Sequence, residues 1–268
     1  MRARPRTQSS LAVCGDYGPW FLVNASPDLR EQLEGLADPV RDGVRAAPVA
    51  GVLLTDAEID HTAGLLLLRE SVTPVRVYGE PGIERALRQG YPVLSMLERY
   101  CGLIWQTLEP ERAHALDGSS LTVEPFDVGG DAPRYLDGSG VDLTASGFVF
   151  RDRVGGGVLT YVPGLARLDD ATLARFAGSD LVLVDGTFWR DDELAMFGIS
   201  GRSARDMGHL PLSGPGGTLE ALSGLKRPRK ALVHINNTNP ILLEDSPERA
   251  EVVRAGVEVA YDGLEVEL

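Results

Sequence analysis

The stretch Gly51 to Gly64, GVLLTDAEIDHTAG, constrains this chain more than any other. An apolar run, Val49 to Leu54, stops at a set of acids, Asp56, Glu58 and Asp60, with His61 directly after them. Thr62-Ala63-Gly64 then opens a second apolar run, Leu65 to Leu68. In an extended segment, residues two apart project to one side. Three carboxylates are therefore expected to converge at a strand end with an imidazole beside them, and both groups are good ligands for a divalent metal. The plainer reading is that Asp60 caps the helix that follows, since Asp is a strong N-cap.

At 268 residues the chain is long enough for a sizeable core, and its 43% hydrophobic and 24% charged content is that of a globular protein. With no composition break, repeat or linker, residues 1–268 read as one domain. The formal charge of −13 argues against nucleic acid as a partner. Two basic clusters, Arg2/Arg4/Arg6 and Lys226 to Lys230, read as a solvated terminus and a solvated loop. No apolar run approaches a membrane span, and MRARPRTQSS lacks the apolar core of a signal peptide. The expectation is a cytoplasmic protein with no membrane partner. Cys14 and Cys101 stand far apart and read as reduced thiols.

Strand and helix signals alternate along the chain. Ser9 to Val13 and Trp20 to Val23 read as strands joined by a Gly-rich turn, followed by a helix to Glu34 with Ser26 as N-cap and Pro27 at its first position. Asp38 to Ala47 reads as a loop or short irregular helix. The strand Val49 to Thr55 delivers the acids, and a helix over Thr62 to Glu70 follows. Further on, a helical stretch from Pro81 to Tyr100 is broken near Gly90 and Pro92. Strands are expected at 75–78, 103–108, 121–126, 145–151, 157–161, 181–184, 230–235, 257–260 and 264–268. Helices are expected at 169–176, 218–225 and 247–255. Such alternation indicates α/β layers, sheets covered by helices.

Three of the four histidines fall at strand ends or loop starts: His61, His209 and His234. His114 falls in a polar loop and receives no role. Leu181 to Val184 delivers Asp185-Gly186-Thr187, which alone would be a turn pair. Met207-Gly208-His209 alone would be a loop histidine bonded to backbone. His234 is followed, after Ile235, by Asn236, Asn237, Thr238 and Asn239. These either bond their own backbone in turns or support metal ligands and substrate.

The order acid-plus-His, Asp, His, His resembles the metallo-β-lactamase superfamily and its H-x-H-x-D-H motif. Asp56 and Glu58 stand at the two leading His positions, while Asp60 and His61 match. A closer resemblance is to the pyrroloquinoline quinone (PQQ) biosynthesis protein B family. It is carried by Arg2 to Ser10, Asn24 to Asp28, Ile59 to Thr62, Val184 to Trp189, Met207 to His209, Gly214 to Gly217, His234 to Pro240 and Asp245 to Arg249. Members of that family have a further N-terminal segment with a cysteine cluster resembling a structural zinc site. The sequence begins at the Arg2 motif without that segment, through either a misassigned start or loss of the element; the expectation is an αββα sandwich lacking its first N-terminal strand, with no structural zinc.

The resemblance implies one active-site metal on Asp60, His61 and His234. Two histidines and one carboxylate suit non-haem Fe(II) that activates dioxygen, with zinc as an ion the isolated protein can hold. Family members look like iron-dependent hydroxylases of a tyrosine-containing peptide precursor of the quinone, so the expected partner is a small peptide-derived substrate. A homodimer is compatible with the sequence. Asp185 and His209 are expected to be catalytic, as proton-transfer or supporting groups. Asp56, Glu58, Asn236, Asn237 and Asn239 are expected to bind substrate or orient ligands. Two other readings stay open: a soluble carrier in the transport of PQQ or its precursor, and a diverged hydrolase of the same fold.

Overall fold

A computed structural model of the chain describes residues 2–36 and 49–268. The expected loop over Asp38 to Ala47 lies outside the described residues. Among the described residues, two sheets face each other and helices cover both outer faces.

The first sheet runs in sequence order: β1 (Leu11–Val13), β2 (Phe21–Val23), β3 (Gly51–Leu53), β4 (Val75–Gly79) and β5 (Leu103–Thr107). β1 pairs antiparallel with β2, and the remaining pairs are parallel. The second sheet contains β6 (His114–Ala115), β7 (Leu121–Gly129), β8 (Ala145–Asp152), β9 (Val158–Val162), β10 (Leu181–Asp185), β11 (Arg229–Val233) and β12 (Glu258–Val259). Their spatial order is β12-β11-β10-β9-β8-β7-β6. It is parallel from β12 to β9 and antiparallel from β9 to β6.

The period-two alternation of strand side chains assigns each face. Phe21, Val23 and Leu53 meet Phe148, Phe150, Tyr161, Leu181 and Leu183 in the core between the sheets. Leu22, Val52 and Val77 point the other way, against Leu65, Ile83, Leu87 and Leu94 of the covering helices. Val182, Val184 and Leu232 pack outward on Phe176, Leu222 and Val252. These are the four layers of an αββα sandwich. The alternation has a functional consequence: Leu181 and Leu183 face inward, so Asp185, the next residue in that phase, leaves β10 on the inner side.

Most expected elements form where the pattern puts them, including the interrupted helices Pro81–Gln89 and Val93–Tyr100. Five local readings are corrected. The early helix is Leu29–Glu34 with Asp28 at the N-cap position, and Ser26 instead accepts a hydrogen bond from the Asp28 N–H. The site helix starts earlier, at Ile59–Thr62, and continues as a 3₁₀ segment, Ala63–Leu68. Asp60 therefore lies inside a helical turn, not in an extended stretch and not at a cap, because Glu58 occupies the N-cap position. His114 is in the short strand β6, with Nε2 accepting the Glu109 N–H at 2.9 Å. The segment 264–268 is not a strand.

Candidate metal centre

The site gathers at the ends of β3, β10 and β11, on the edge where their parallel carboxyl ends open, the usual place for function in such sheets. After β3 the chain bends at Thr55 and Asp56 into the Ile59–Thr62 helix. Asn24, held in the left-handed region at φ 62°, clamps this bend. Its amide donates to Thr55 Oγ1 at 2.9 Å and accepts the Thr55 N–H at 3.0 Å. The helix is docked by backbone: the Ala25 N–H donates to His61 O at 2.7 Å, and the Gly64 N–H donates to Ala25 O at 2.9 Å.

This bend delivers a buried His–Asp pair. His61 Nδ1 lies 2.7 Å from Asp56 Oδ2 and 2.8 Å from Oδ1. Asp56 also accepts from Thr55 Oγ1 at 2.8 Å and from the Glu58 N–H at 2.9 Å. Burial works against charge in both partners, but their mutual attraction prevails. Asp56 is held below the usual carboxylate range, and His61 is pushed up to about 9. With Nδ1 engaged, His61 presents Nε2 to the site. That atom is buried and has no hydrogen-bond partner among the described residues. A buried polar nitrogen left unpartnered costs free energy, and a bound ligand at this atom would relieve that cost.

Asp60 and His234 complete the group. Asp60 Oδ2 lies 4.0 Å from His61 Nε2 and 3.5 Å from His234 Nε2. Burial opposes the charge on Asp60, but the His234 and His61 rings beside it hold its carboxyl far below the usual range. One donor atom from each of the three residues lies within 4.8 Å of the others. Donors about 2.1 Å from a common ion stand roughly 3 Å apart when adjacent, so a small inward rotation brings this set onto an ion. The residues fit a divalent metal.

A second set, Asp185, His209 and His234, is equally compact. Its acid is already satisfied. Asp185 Oδ2 accepts His209 Nδ1 at 2.6 Å and the Leu165 N–H at 3.0 Å, while Oδ1 accepts the Thr187 N–H at 2.9 Å and the Thr187 hydroxyl at 2.5 Å. A carboxylate has about four acceptor positions, and here protein donors take them all. Burial pushes the Asp185 carboxyl up, but His209, and then His234, bring it net below its usual range. Asp185 is thus an anchor for neighbouring rings, whereas Asp60 has accepting capacity to spare. His209 stacks on His234, centroids 5.4 Å apart and 19° between planes, with Phe188 edge-on to its ring. Its Nδ1 is held by Asp185 Oδ2.

Residues 19–235 match the Beta-lactamase superfamily domain. Across its full length the chain is 46% identical to coenzyme PQQ synthesis protein B of Cupriavidus necator and 44% identical to that of Methylococcus capsulatus, covering 90% of each protein. The crystal structure of Zn²⁺-bound PqqB from Methylobacterium extorquens shares 38% identity and superposes with a TM-score of 0.89, covering all of this chain and 89% of that one. The chain belongs to the coenzyme PQQ synthesis protein B family. A diphosphatase of the PhnP family, 19% identical with a TM-score of 0.64 over 96% of this chain and 82% of that one, shares the fold.

In this PqqB-family chain the structure brings Asp56, Glu58, Asp60, His61, Asp185, His209 and His234 to one edge. The asparagines divide. Asn237 is exposed and Asn236 half-buried, its amide donating to Thr238 Oγ1 at 2.8 Å. Asn239 is turned inward: its amide donates to Gly186 O at 2.8 Å and its carbonyl accepts the Ile241 N–H at 3.1 Å. Its amide and carbonyl are thus both engaged within the chain, and it builds the loop. Asp56 is turned toward His61. Sequence reasoning missed Asn24, Thr55 and Thr187, whose hydroxyls and amide hold the acids. Each is a short polar residue at a strand end, and that was the available signal.

Proposed function

We propose that this chain acts in pyrroloquinoline quinone biosynthesis as a metal-dependent hydroxylase of a tyrosine-containing peptide precursor. Its PqqB-family membership supports the pathway. The observation that carries the metal dependence is the buried, unpartnered His61 Nε2 facing Asp60 and His234. Asp60, His61 and His234 would hold the ion. Two imidazoles and one carboxylate leave positions open, the donor set of non-haem Fe(II) sites that activate dioxygen.

The chain's own residues then have distinct tasks. Asp56 keeps His61 turned so that Nε2 faces the ion. His209, anchored at Nδ1 by Asp185, takes or returns a proton at Nε2. Glu58, exposed at the mouth, and Asn236 and Asn237 offer polar contacts to a peptide substrate. In the overall reaction, one oxygen atom of dioxygen enters a ring C–H bond and the other leaves as water. Two electrons come from an external reductant.

The test is incubation of the Fe(II)-loaded and the Zn²⁺-loaded protein with a tyrosine-containing peptide and a reductant, with and without dioxygen. The expected result is oxygen uptake and a product gaining one oxygen atom, with iron and oxygen both required. A product formed equally well without oxygen, or with zinc in place of iron, would point to hydrolysis. Tight binding of PQQ or its precursor unaffected by His61→Ala and His234→Ala would point to a carrier.

A further inference from the structure

Three site histidines need a defined ring orientation, and two obtain it from a carboxylate directly: His61 from Asp56 and His209 from Asp185. His234 does not. Its Nδ1 is 3.9 Å from Asp185 Oδ1, beyond hydrogen-bond range. The Thr187 hydroxyl stands between them, 2.5 Å from Asp185 Oδ1 and 2.7 Å from His234 Nδ1. The same oxygen is 2.8 Å from His234 O.

A hydroxyl has one hydrogen to give and two lone pairs to receive with. Three acceptors or exchangeable partners surround it, and the carboxylate is the strongest acceptor of the three. The hydrogen therefore goes to Asp185. The Thr187 oxygen is then left to accept, and His234 Nδ1 must carry the proton it receives. That assignment leaves Nε2 as the lone-pair nitrogen, the atom 3.5 Å from Asp60 Oδ2. Backbone contacts fix the arrangement further. The Thr187 N–H also donates to Asp185, and the Asn236 N–H donates to Thr187 O at 3.1 Å, so one residue ties the ends of β10 and β11 together. His234 itself is held at φ 53°, a left-handed conformation that a non-glycine residue adopts at some cost.

We propose that Thr187 is a positioning residue: it passes the pull of Asp185 on to His234 and so fixes the tautomer in which His234 Nε2 faces the metal. One buried carboxylate thereby sets two imidazoles, His209 by direct contact and His234 through a hydroxyl. The inference rests on His234 being a metal ligand, and the experiment separates the two claims.

The histidine tautomers of the ¹⁵N-labelled apo protein are read by long-range ¹H–¹⁵N correlation at mildly alkaline pH, and Zn²⁺ affinity is measured by competition with a chromophoric chelator. The variants are Thr187→Ser, Thr187→Val and His234→Ala. His234 in the unmodified protein is expected to carry its proton on Nδ1. Thr187→Ser, which keeps the hydroxyl, should retain that tautomer and bind Zn²⁺ within about threefold, whereas Thr187→Val should lose the tautomer preference and bind roughly 10- to 100-fold more weakly. An Nε2–H tautomer at His234 in the unmodified protein overturns the proposal whether or not the valine variant folds. So does a folded Thr187→Val protein with unchanged Zn²⁺ affinity while His234→Ala has lost it. Zn²⁺ binding that survives His234→Ala removes the ligand assignment itself, and the proposal with it.

Discussion

His61 and Asp56 form a buried pair in which Nδ1 is 2.7 Å from Oδ2, and this contact decides which face of the imidazole the site receives. Every other donor to Asp56 comes from Thr55 or from the turn that starts the helix, so the strand-to-helix bend and the ligand orientation are one construction.

Asp56→Asn keeps the size of the side chain but removes the charge that holds Nδ1–H. The expected outcome is metal affinity lower by roughly 10- to 100-fold, since partners of ligating histidines act on that scale. Competition titration of Zn²⁺ checks it. Unchanged affinity would mean that His61 is oriented by packing alone.

His209→Ala separates holding the metal from moving a proton. In the proposed mechanism His209, with Nδ1 bonded to Asp185 and its ring stacked on His234, moves a proton and does not hold the ion. Metal occupancy is expected to stay near that of the unmodified protein, while turnover falls by on the order of 10²–10⁴. Parallel metal analysis and rate measurement test this, and a loss of metal together with activity would reassign His209 as a ligand.

Gly64 is required by close approach. A Cβ there would lie 2.8 Å from Ala25 O and closer still to Ser26 O, both fixed backbone atoms. Gly64→Ala is expected to destabilise the fold by about 1–3 kcal/mol, as overpacking does, and to weaken metal binding because the same contact docks the His61 turn. Urea denaturation with a metal titration checks both effects.

Asp152 joins the turn after β8 to the turn after β1. Burial is the largest single influence and works against its charge, yet the Ser120 hydroxyl and the N–H groups of Val154, Asp16 and Gly155 together hold its carboxyl down at about 2. A carboxyl depressed by folding contributes stability that is present above its unfolded value near 4 and is lost as pH falls through 2. Solvent screening at this surface position limits the contribution to about 1 kcal/mol. Asp152→Asn should therefore lose about that much near neutrality, with the gap closing as pH falls from about 4 to about 2. Denaturant melts at several pH values test it, and a gap independent of pH would assign the loss to packing.

Much of the site was legible because strand ends are punctuated. Val184 to Gly186 and Val233 to Asn236 each pass from apolar strand to polar turn, and that transition placed Asp185 and His234. The acid-rich run after Leu54 named residues that the fold does gather, but an extended reading gave the wrong geometry, because a helical turn, not a strand, carries Asp60 to His61. The supporting residues were not legible. Asn24 reaches Thr55 across 31 positions and Thr187 reaches His234 across 47, and no local pattern records such contacts. The loop role of Asn239 was hidden for the same reason: its amide donates to Gly186 O, 53 positions away, a contact that only the folded chain brings together. The expected strand over 264–268 did not form because a short apolar-acidic alternation does not by itself supply a neighbour to pair with.

The most direct measurement is iron content after anaerobic loading with Fe(II), in the unmodified chain and in the His61→Ala, His234→Ala and His114→Ala variants. The account predicts one iron per chain in the unmodified protein and in His114→Ala, whose imidazole only accepts a hydrogen bond from the Glu109 backbone. It predicts loss of iron in His61→Ala and His234→Ala. Full occupancy in either of those two variants would contradict the assignment of the metal to Asp60, His61 and His234.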